Sequence, residues 1–283
     1  MSGGLRRRYE RLLVTYPSAY RRAHGDEMIS TLLEGARPDQ RFPAPREAAS
    51  LLLGGLRARA RHAAKQSPSR LWTDGLHLGV LLIVLVNLGH ALRMLVPLWI
   101  ALVALGALAV LRGWTRTALI AATVTALAAA RPLLPQVSLP WWLPGYGDWS
   151  AVARYAVPAV VLAVLAWPGV SRPRARSWWW LVLPAAAMLP REGDVWALTQ
   201  AALEVGLLLV VLVVAVGALD PRPAIGAAVY LAPGLVYAAE ESITTGVPST
   251  LALGYWAVLA TLMVALAAAA WRIRRLQLTQ REP

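Results

Sequence analysis

The sequence predicts an all-α, polytopic membrane protein with about eight transmembrane helices behind a small N-terminal three-helix cytosolic domain. Three observations predict it. Of the 283 residues 58% are hydrophobic and 15% charged, and the mean hydropathy is +0.52, which moves the chain out of the soluble class. Apolar runs close to the ~20 residues a helix needs to cross hydrocarbon recur from Gly75 to Trp271. The turns between these runs alternate between arginine-rich and acidic. The chain then divides into a cytosolic head, residues 1–66, a juxtamembrane linker, 67–74, a transmembrane bundle, 75–271, and a cytosolic basic tail, 272–283.

In the head, Leu5, Tyr9, Leu12, Leu13 and Tyr16 recur at helical spacing, which predicts a first amphipathic helix with Arg6, Arg7, Arg8 and Arg11 outside its apolar face. Pro17 ends it, because the residue before a proline is pushed out of the helical region. A second helix carries Tyr20, His24, Met28 and Leu32 on one face with Ile29 and Leu33 beside them. Gly25 is a candidate interruption, Asp26 a candidate restart and Gly35 a candidate C-cap. Ala36 to Ala44, with Pro38 and Pro43, reads as a loop, and Pro45 suits the first turn of a third helix. That helix is expected to turn Ala49, Leu52, Leu53, Leu56 and Ala60 inward. Its end carries Arg57, Arg59, Arg61 and Lys65, a basic flank able to meet anionic headgroups at about 1 kcal/mol each. The basic start is followed by Tyr, Pro and more Arg instead of an apolar region, so no cleavable signal peptide is expected.

These residues carry a resemblance. An arginine-flanked helix, Tyr16-Pro17-x-x-Tyr20-Arg21, Gly25-x-Glu27-Met28, Leu32-Leu33-Glu34, and then Pro45-Arg46-Glu47-Ala48 leading to Gly54-Gly55-Leu56-Arg57 look like a cytosolic head found on actinobacterial integral membrane proteins. That head is similar to the HAAS signalling domain, which accompanies PadR-type transcription regulators. The resemblance covers roughly the first quarter of the chain. It implies a helical head coupled to a membrane body, with a cytosolic PadR-type regulator as partner and no catalytic residues to carry over. Regular Tyr, Leu and Met spacing is ordinary core packing, so Tyr9, Tyr20, Met28 and Leu32 are expected inside. Arg21, Arg22, Glu27 and Glu34 are the candidate partner-binding residues, with solvated charge as the alternative.

Eight crossings are expected, at about 75–95, 97–111, 116–134, 151–168, 177–190, 195–217, 224–240 and 250–271, the second and fifth being short. With the head inside, the cytosolic turns hold Arg112 and Arg116, then Arg172, Arg174 and Arg176, then Arg222, and finally Arg272, Arg274 and Arg275. The opposite turns hold Asp148, Glu192, Asp194, Glu240 and Glu241. This alternation obeys the positive-inside rule and places both termini in the cytosol of a multi-pass plasma-membrane protein. Trp178, Trp179 and Trp180 on one side and Trp141, Trp142 and Trp149 on the other read as interfacial belts, with ligand stacking as the alternative. Pro184 and Pro233-Gly234 are expected to kink their helices and free backbone groups.

Polar residues inside a crossing cost roughly 2.5–3.5 kcal/mol when ionisable, so they call for partners. Asn87, His90 and Arg93 form a stripe on the first crossing, Arg154 lies early in the fourth, Gln200 and Glu204 one turn apart in the sixth, and Glu240 ends the seventh. All fall in the half of the membrane away from the cytosol. Glu204 is deepest, about 13 Å from the start of its helix, and Arg154, His90 and Arg93 are its candidate partners. These seven residues are the candidate ligand-binding set, a structural ion pair or snorkelling being the alternative.

Several chemistries are excluded. With no cysteine and four histidines, thiolate chemistry and a metal cluster are not expected. Gly145-Tyr146-Gly147-Asp148 matches the G-x-G-D string of intramembrane aspartyl proteases, but no second intramembrane aspartate is present. No zinc-protease, phosphate-loop, nucleophile-elbow or dinucleotide motif occurs. Acids interrupt the basic head, so direct nucleic-acid binding is not expected. The reading is a non-enzymatic membrane sensor or regulatory protein without a cofactor, whose partners are the bilayer and a cytosolic regulator. A small-molecule permease or its accessory subunit is the alternative.

Overall fold

The computed structural model describes residues 3–37, 40–66, 68–134, 144–187, 194–218, 220–244 and 250–279, and every regular element among them is helical. The chain is all-α, as the periodicity predicts.

The head consists of α1 (Gly3–Leu13), α2 (Ser18–Glu34) and α3 (Pro45–Gln66). Leu5, Tyr9, Leu13 and Tyr16 are buried together with Ile29 and Leu51, so the inward face of α1 is the one the spacing gives. α1 stops three residues before Tyr16. Residues 14–16 instead form a turn whose amides reach back to the carbonyls of Arg11, Leu12 and Leu13. Gly25 does not interrupt α2, because a lone glycine costs a helix only about 1 kcal/mol, and α2 runs through it.

Two expectations about the core fail. Tyr20 is not inside; it is 41% exposed and stacks on Tyr16 and His24 with ring centroids 5.4 and 4.9 Å away. It lies more than two turns before Ile29, the α2 residue buried in the cluster, at the edge of an open groove that it shares with His24 and Leu51. On α3 the buried face runs through Leu51, Gly55 and Ala58, whereas Ala49 and Leu52 are exposed. The reason is the close approach of the turn after α1. A side chain at Gly55 would overlap the Thr15 side chain and main chain, and one at Gly54 would overlap the Tyr16 hydroxyl. Glu47, third residue of α3, accepts the amide of Ala44 at 3.2 Å and the Tyr9 hydroxyl at 2.8 Å. It thereby supplies the reciprocal half of a capping box and pins α1 to the start of α3.

The remaining helices are α4 (Pro68–Met94), α5 (Pro97–Arg112), α6 (Thr115–Ala130), α7 (Trp149–Leu165), α8 (Val182–Ala187), α9 (Asp194–Ala218), α10 (Pro221–Thr244) and α11 (Thr250–Thr279). α4 packs on α5, α7, α8 and α10; α10 packs in turn on α7, α9 and α11. One core lies among α4 to α7, around Leu81, Leu85, Trp99, Tyr155 and Leu162. A second lies among α9 to α11, around Leu208, Ala215, Leu231, Leu259 and Leu266. The α4–α10 seam joins them through small residues. Gly75 and Gly79, one turn apart, face Ile225 and Val229, and Gly226 faces Leu78, which lets the two backbones approach closely. His77 is fully buried on α4, and its Nε2–H donates to the carbonyl of Val110 on α5 at 2.8 Å.

Seven of the eight expected crossings coincide with a helix of the bundle. The fifth does not: residues 178–181 form a 3-10 turn and α8 is six residues long, a rise of about 9 Å, while 188–190 lie outside the described residues. Pro184 stands in the first turn of α8, where its missing amide frees no carbonyl. Residues 68–74, expected as a linker, are the first turns of α4, and α11 carries the tail in helical form to Thr279. By length and apolarity, Arg70–Met94 and Leu253–Arg272 suffice to cross a membrane. Large apolar side chains also point outward: Leu203, Leu207, Val210 and Val213 on α9, Ile120, Val124 and Leu127 on α6, and Val160 and Val164 on α7 are all exposed.

Candidate functional site

The head docks on one end of the bundle. Arg57 donates to the carbonyl of Gly217, and Leu53 packs against the same glycine, so α3 grips the last turn of α9. The N-termini of α4 and α10 meet at this end through Arg222 and Asp74. At the other end, α10 finishes against the start of α7. Glu240 accepts the amides of Trp149 and Ser150 at 2.7 and 2.8 Å, and Asp148 accepts that of Ala151 at 3.0 Å.

Close to that far end lies a cavity of about 370 Å³ between α4, α7, α9, α10 and α11. Asn87, Arg154 and Glu204, three of the seven residues singled out from the sequence, line it. Asn87 is buried and its Nδ2 donates to the main-chain carbonyl of Arg154 at 2.9 Å. This bond ties α4 to α7 and fixes the turn that carries the Arg154 guanidinium. Glu204 accepts the hydroxyl of Tyr255 on α11 at 2.8 Å. Arg154 on α7 and Glu204 on α9 therefore offer opposite charges from separate walls, with no ion pair between them among the described residues.

The other four expected residues are placed differently. His90 is half-buried and Arg93 exposed on the following turns of α4, and neither lines the cavity. The side chain of Gln200 lies outside the described residues. Glu240 is committed to the α7 N-terminus, where a carboxylate satisfies orphan amides and complements the helix dipole; its neighbour Ser150 lines the cavity.

The spacing of ionisable groups leaves the aromatic part of the site unseen. Tyr230, Tyr237, Tyr255 and Trp256 line the same space, with Trp256 packed on Tyr255 and Tyr237 at centroid distances of 5.0 and 5.3 Å. A signal exists in the sequence: Tyr230, Pro233, Gly234 and Tyr237 stand at i, i+3, i+4 and i+7, one face of α10. Pro233 has no amide, so the carbonyl one turn earlier loses its helical donor on a helix that borders the cavity. The belt readings are mixed, since Trp149, Trp178 and Trp179 are exposed as anchors are, Trp180 is only partly buried, and Trp141 and Trp142 lie outside the described residues.

On the head, Glu27 lines an open groove of about 380 Å³ with Tyr20, His24, Met28, Leu32 and Leu51. Its carboxylate lies 3.7 Å from His24 Nδ1. Arg22 and Glu34 are exposed nearby on α2, while Arg21 is half-buried with its Nε lacking a partner among the described residues. Among the described residues no group of three His, Cys, Asp or Glu side chains is placed to hold a metal ion. Comparison with protein families, with curated proteins and with solved structures finds no match to this chain.

Proposed function

We propose that this chain is a polytopic plasma-membrane sensor that binds a small zwitterion in the cavity of its outer half and reports occupancy through α9 to a cytosolic three-helix head. One observation carries the reading. Glu204, in the cavity wall, and Gly217, gripped by Arg57 and Leu53 of the head, belong to the same helix, about 20 Å apart along its axis. A ligand that shifts α9 against Tyr255 therefore acts on the head without a further relay. The arginine and carboxylate on opposite walls suit a ligand with one charge of each sign, and the aromatic rings suit the cationic end. Membrane placement of about eight crossings with cytosolic termini is supported by the outward apolar faces of α6, α7 and α9, which water would disfavour and lipid accepts. It is supported too by the arginines gathered at the head-proximal turns.

The head's likeness to HAAS-type domains points to a cytosolic PadR-type regulator as partner, with α2 as the docking element and Arg21, Arg22, Glu27 and Glu34 on or beside its groove. No bond-making chemistry is assigned to the chain. The internal proline of α10 beside the cavity favours a second reading, a small-molecule permease or its accessory subunit, because Pro-interrupted helices line transport sites. Amide hydrogen exchange on the full chain in nanodiscs separates the two. For a sensor, Glu204→Gln changes exchange at Leu53 to Arg57 severalfold; unchanged exchange there, together with lost solute uptake into proteoliposomes, would establish the permease.

A further inference from the structure

A second cavity, of about 440 Å³, lies at the head-proximal end of the bundle between the start of α4, residues 171–174 and the start of α10. Arg70, Arg172, Arg174 and Arg222 line it against a single carboxylate, Asp74. That carboxylate is already engaged. Asp74 Oδ2 lies 3.7 Å from Arg222 Nη1, and Arg222 is forked onto Asp220 at 2.9 and 2.6 Å. Arg70, Arg172 and Arg174 remain, all three exposed and without an ion pair among the described residues. Thr73 and Ser171, whose hydroxyls are 3.3 Å apart, stand in the same wall.

A basic flank that only obeys the positive-inside rule spreads its arginines over the surface. Here three come from two distant segments to one concavity. Like charges drawn together repel, and an anion between them reverses the sign of that term. Guanidinium forks and hydroxyls are the groups that hold tetrahedral oxyanions, and the volume lies in the range of ligand pockets. We propose that this cavity binds a phosphate group, carried by a phospholipid headgroup or by a soluble phosphorylated compound. The site is independent of the zwitterion cavity at the other end.

Isothermal titration of the full chain in a neutral maltoside detergent at physiological ionic strength tests this, with dioctanoyl phosphatidate, dioctanoyl phosphatidylcholine and inorganic pyrophosphate as probes. The expected result is saturable binding of phosphatidate or pyrophosphate, weakened about tenfold or more in the Arg172→Gln/Arg174→Gln double variant. Arg116→Gln, which removes a charge outside the cavity, and Glu204→Gln leave it unchanged. Binding of phosphatidate alone assigns the phosphate to a lipid; binding of pyrophosphate at comparable strength assigns it to a soluble compound. Should the double variant not fold, Arg70→Gln, a single exposed substitution, carries the same direction of change. The proposal fails if neither anion saturates, if phosphatidylcholine binds as well as phosphatidate, or if Arg116→Gln costs as much as the double variant.

Discussion

Glu47 takes one hydrogen bond from the Tyr9 hydroxyl and one from the Ala44 amide, and in that order these hold its carboxyl below the ordinary 4.5. Burial, and then Glu47 itself, push the Tyr9 hydroxyl up from 10.0 to about 12. The two groups give the head a pH window. A carboxyl more acidic when folded contributes stability that is whole above its ordinary value and is lost as pH falls through the depressed one. A hydroxyl less acidic when folded contributes below its ordinary value and loses that contribution as pH rises through the raised one. Amide protection factors of residues 3–66 should therefore fall below about pH 4.5 and again on approaching the Tyr9 value. Glu47→Gln should flatten the acid limb and reduce the alkaline one to the part that burial of Tyr9 supplies, which a pH series of exchange measurements reads directly. At the far end, Glu240→Gln leaves the Trp149 and Ser150 amides with a weaker, uncharged acceptor, and Asp148 alone keeps a negative charge at the helix start. Exchange at those two amides should rise severalfold while the rest of α7 is unchanged.

Helix contacts here turn on glycine at a few crossings. Gly55 sits where the turn after α1 touches α3, and an added methyl meets main chain as well as side chain; at Gly54 the methyl meets only the tip of Tyr16, which can swing. Gly55→Ala should then destabilise the head by about 1–3 kcal/mol, the usual cost of overpacking, and Gly54→Ala by less, measured by chemical unfolding of the full chain. The α4–α10 seam obeys the same logic, since a methyl on Gly79 meets the Val229 side chain and the Gly226 carbonyl. Gly79→Leu should force α4 and α10 apart and lower the thermal midpoint in detergent more than the same change at Gly206 on α9, where an added side chain meets open space. In the first core, Trp99 is fully buried with its ring 5.3 Å from that of Tyr155. Its truncation to alanine should cost about 3–5 kcal/mol in the same assay.

At the scale of the molecule, α9 is the element that touches both the cavity and the head. Arg57→Ala should uncouple the two: the exchange change at Leu53 to Arg57 produced by Glu204→Gln should vanish, while the cavity end of α9 still responds. Deleting residues 1–66 should leave membrane insertion intact and abolish capture of a PadR-type regulator; retained capture would sink the proposed role of the head. The ion pair between Arg222 and Asp74 binds the first turns of α10 and α4 beside the head. The proposed phosphate site lies at this same end of the bundle, with Arg222 and Asp74 in its wall.

Local information decided much of this protein. The helical periods and Pro45 at the start of α3 were legible because each depends on residues within a few turns of one another. Asn87, Arg154 and Glu204 were legible as a set because an ionisable or amide group in an apolar run is costly enough to stand out by itself. The rest required the packed chain. Which face of α3 is buried depended on how closely the turn after α1 could approach Gly54 and Gly55, and Tyr20 stayed partly outside because it borders an open groove. Glu240 proved to be a cap for a helix ninety residues away in sequence, and Tyr255 and Trp256 joined the cavity only because α11 packs beside α9 and α10. Sequence by itself determined where helices form and which polar residues need partners, since both are set by short-range geometry and by the cost of burial. Tertiary structure alone decided which partners meet, because that depends on how closely distant helices can approach, and here single glycines control it.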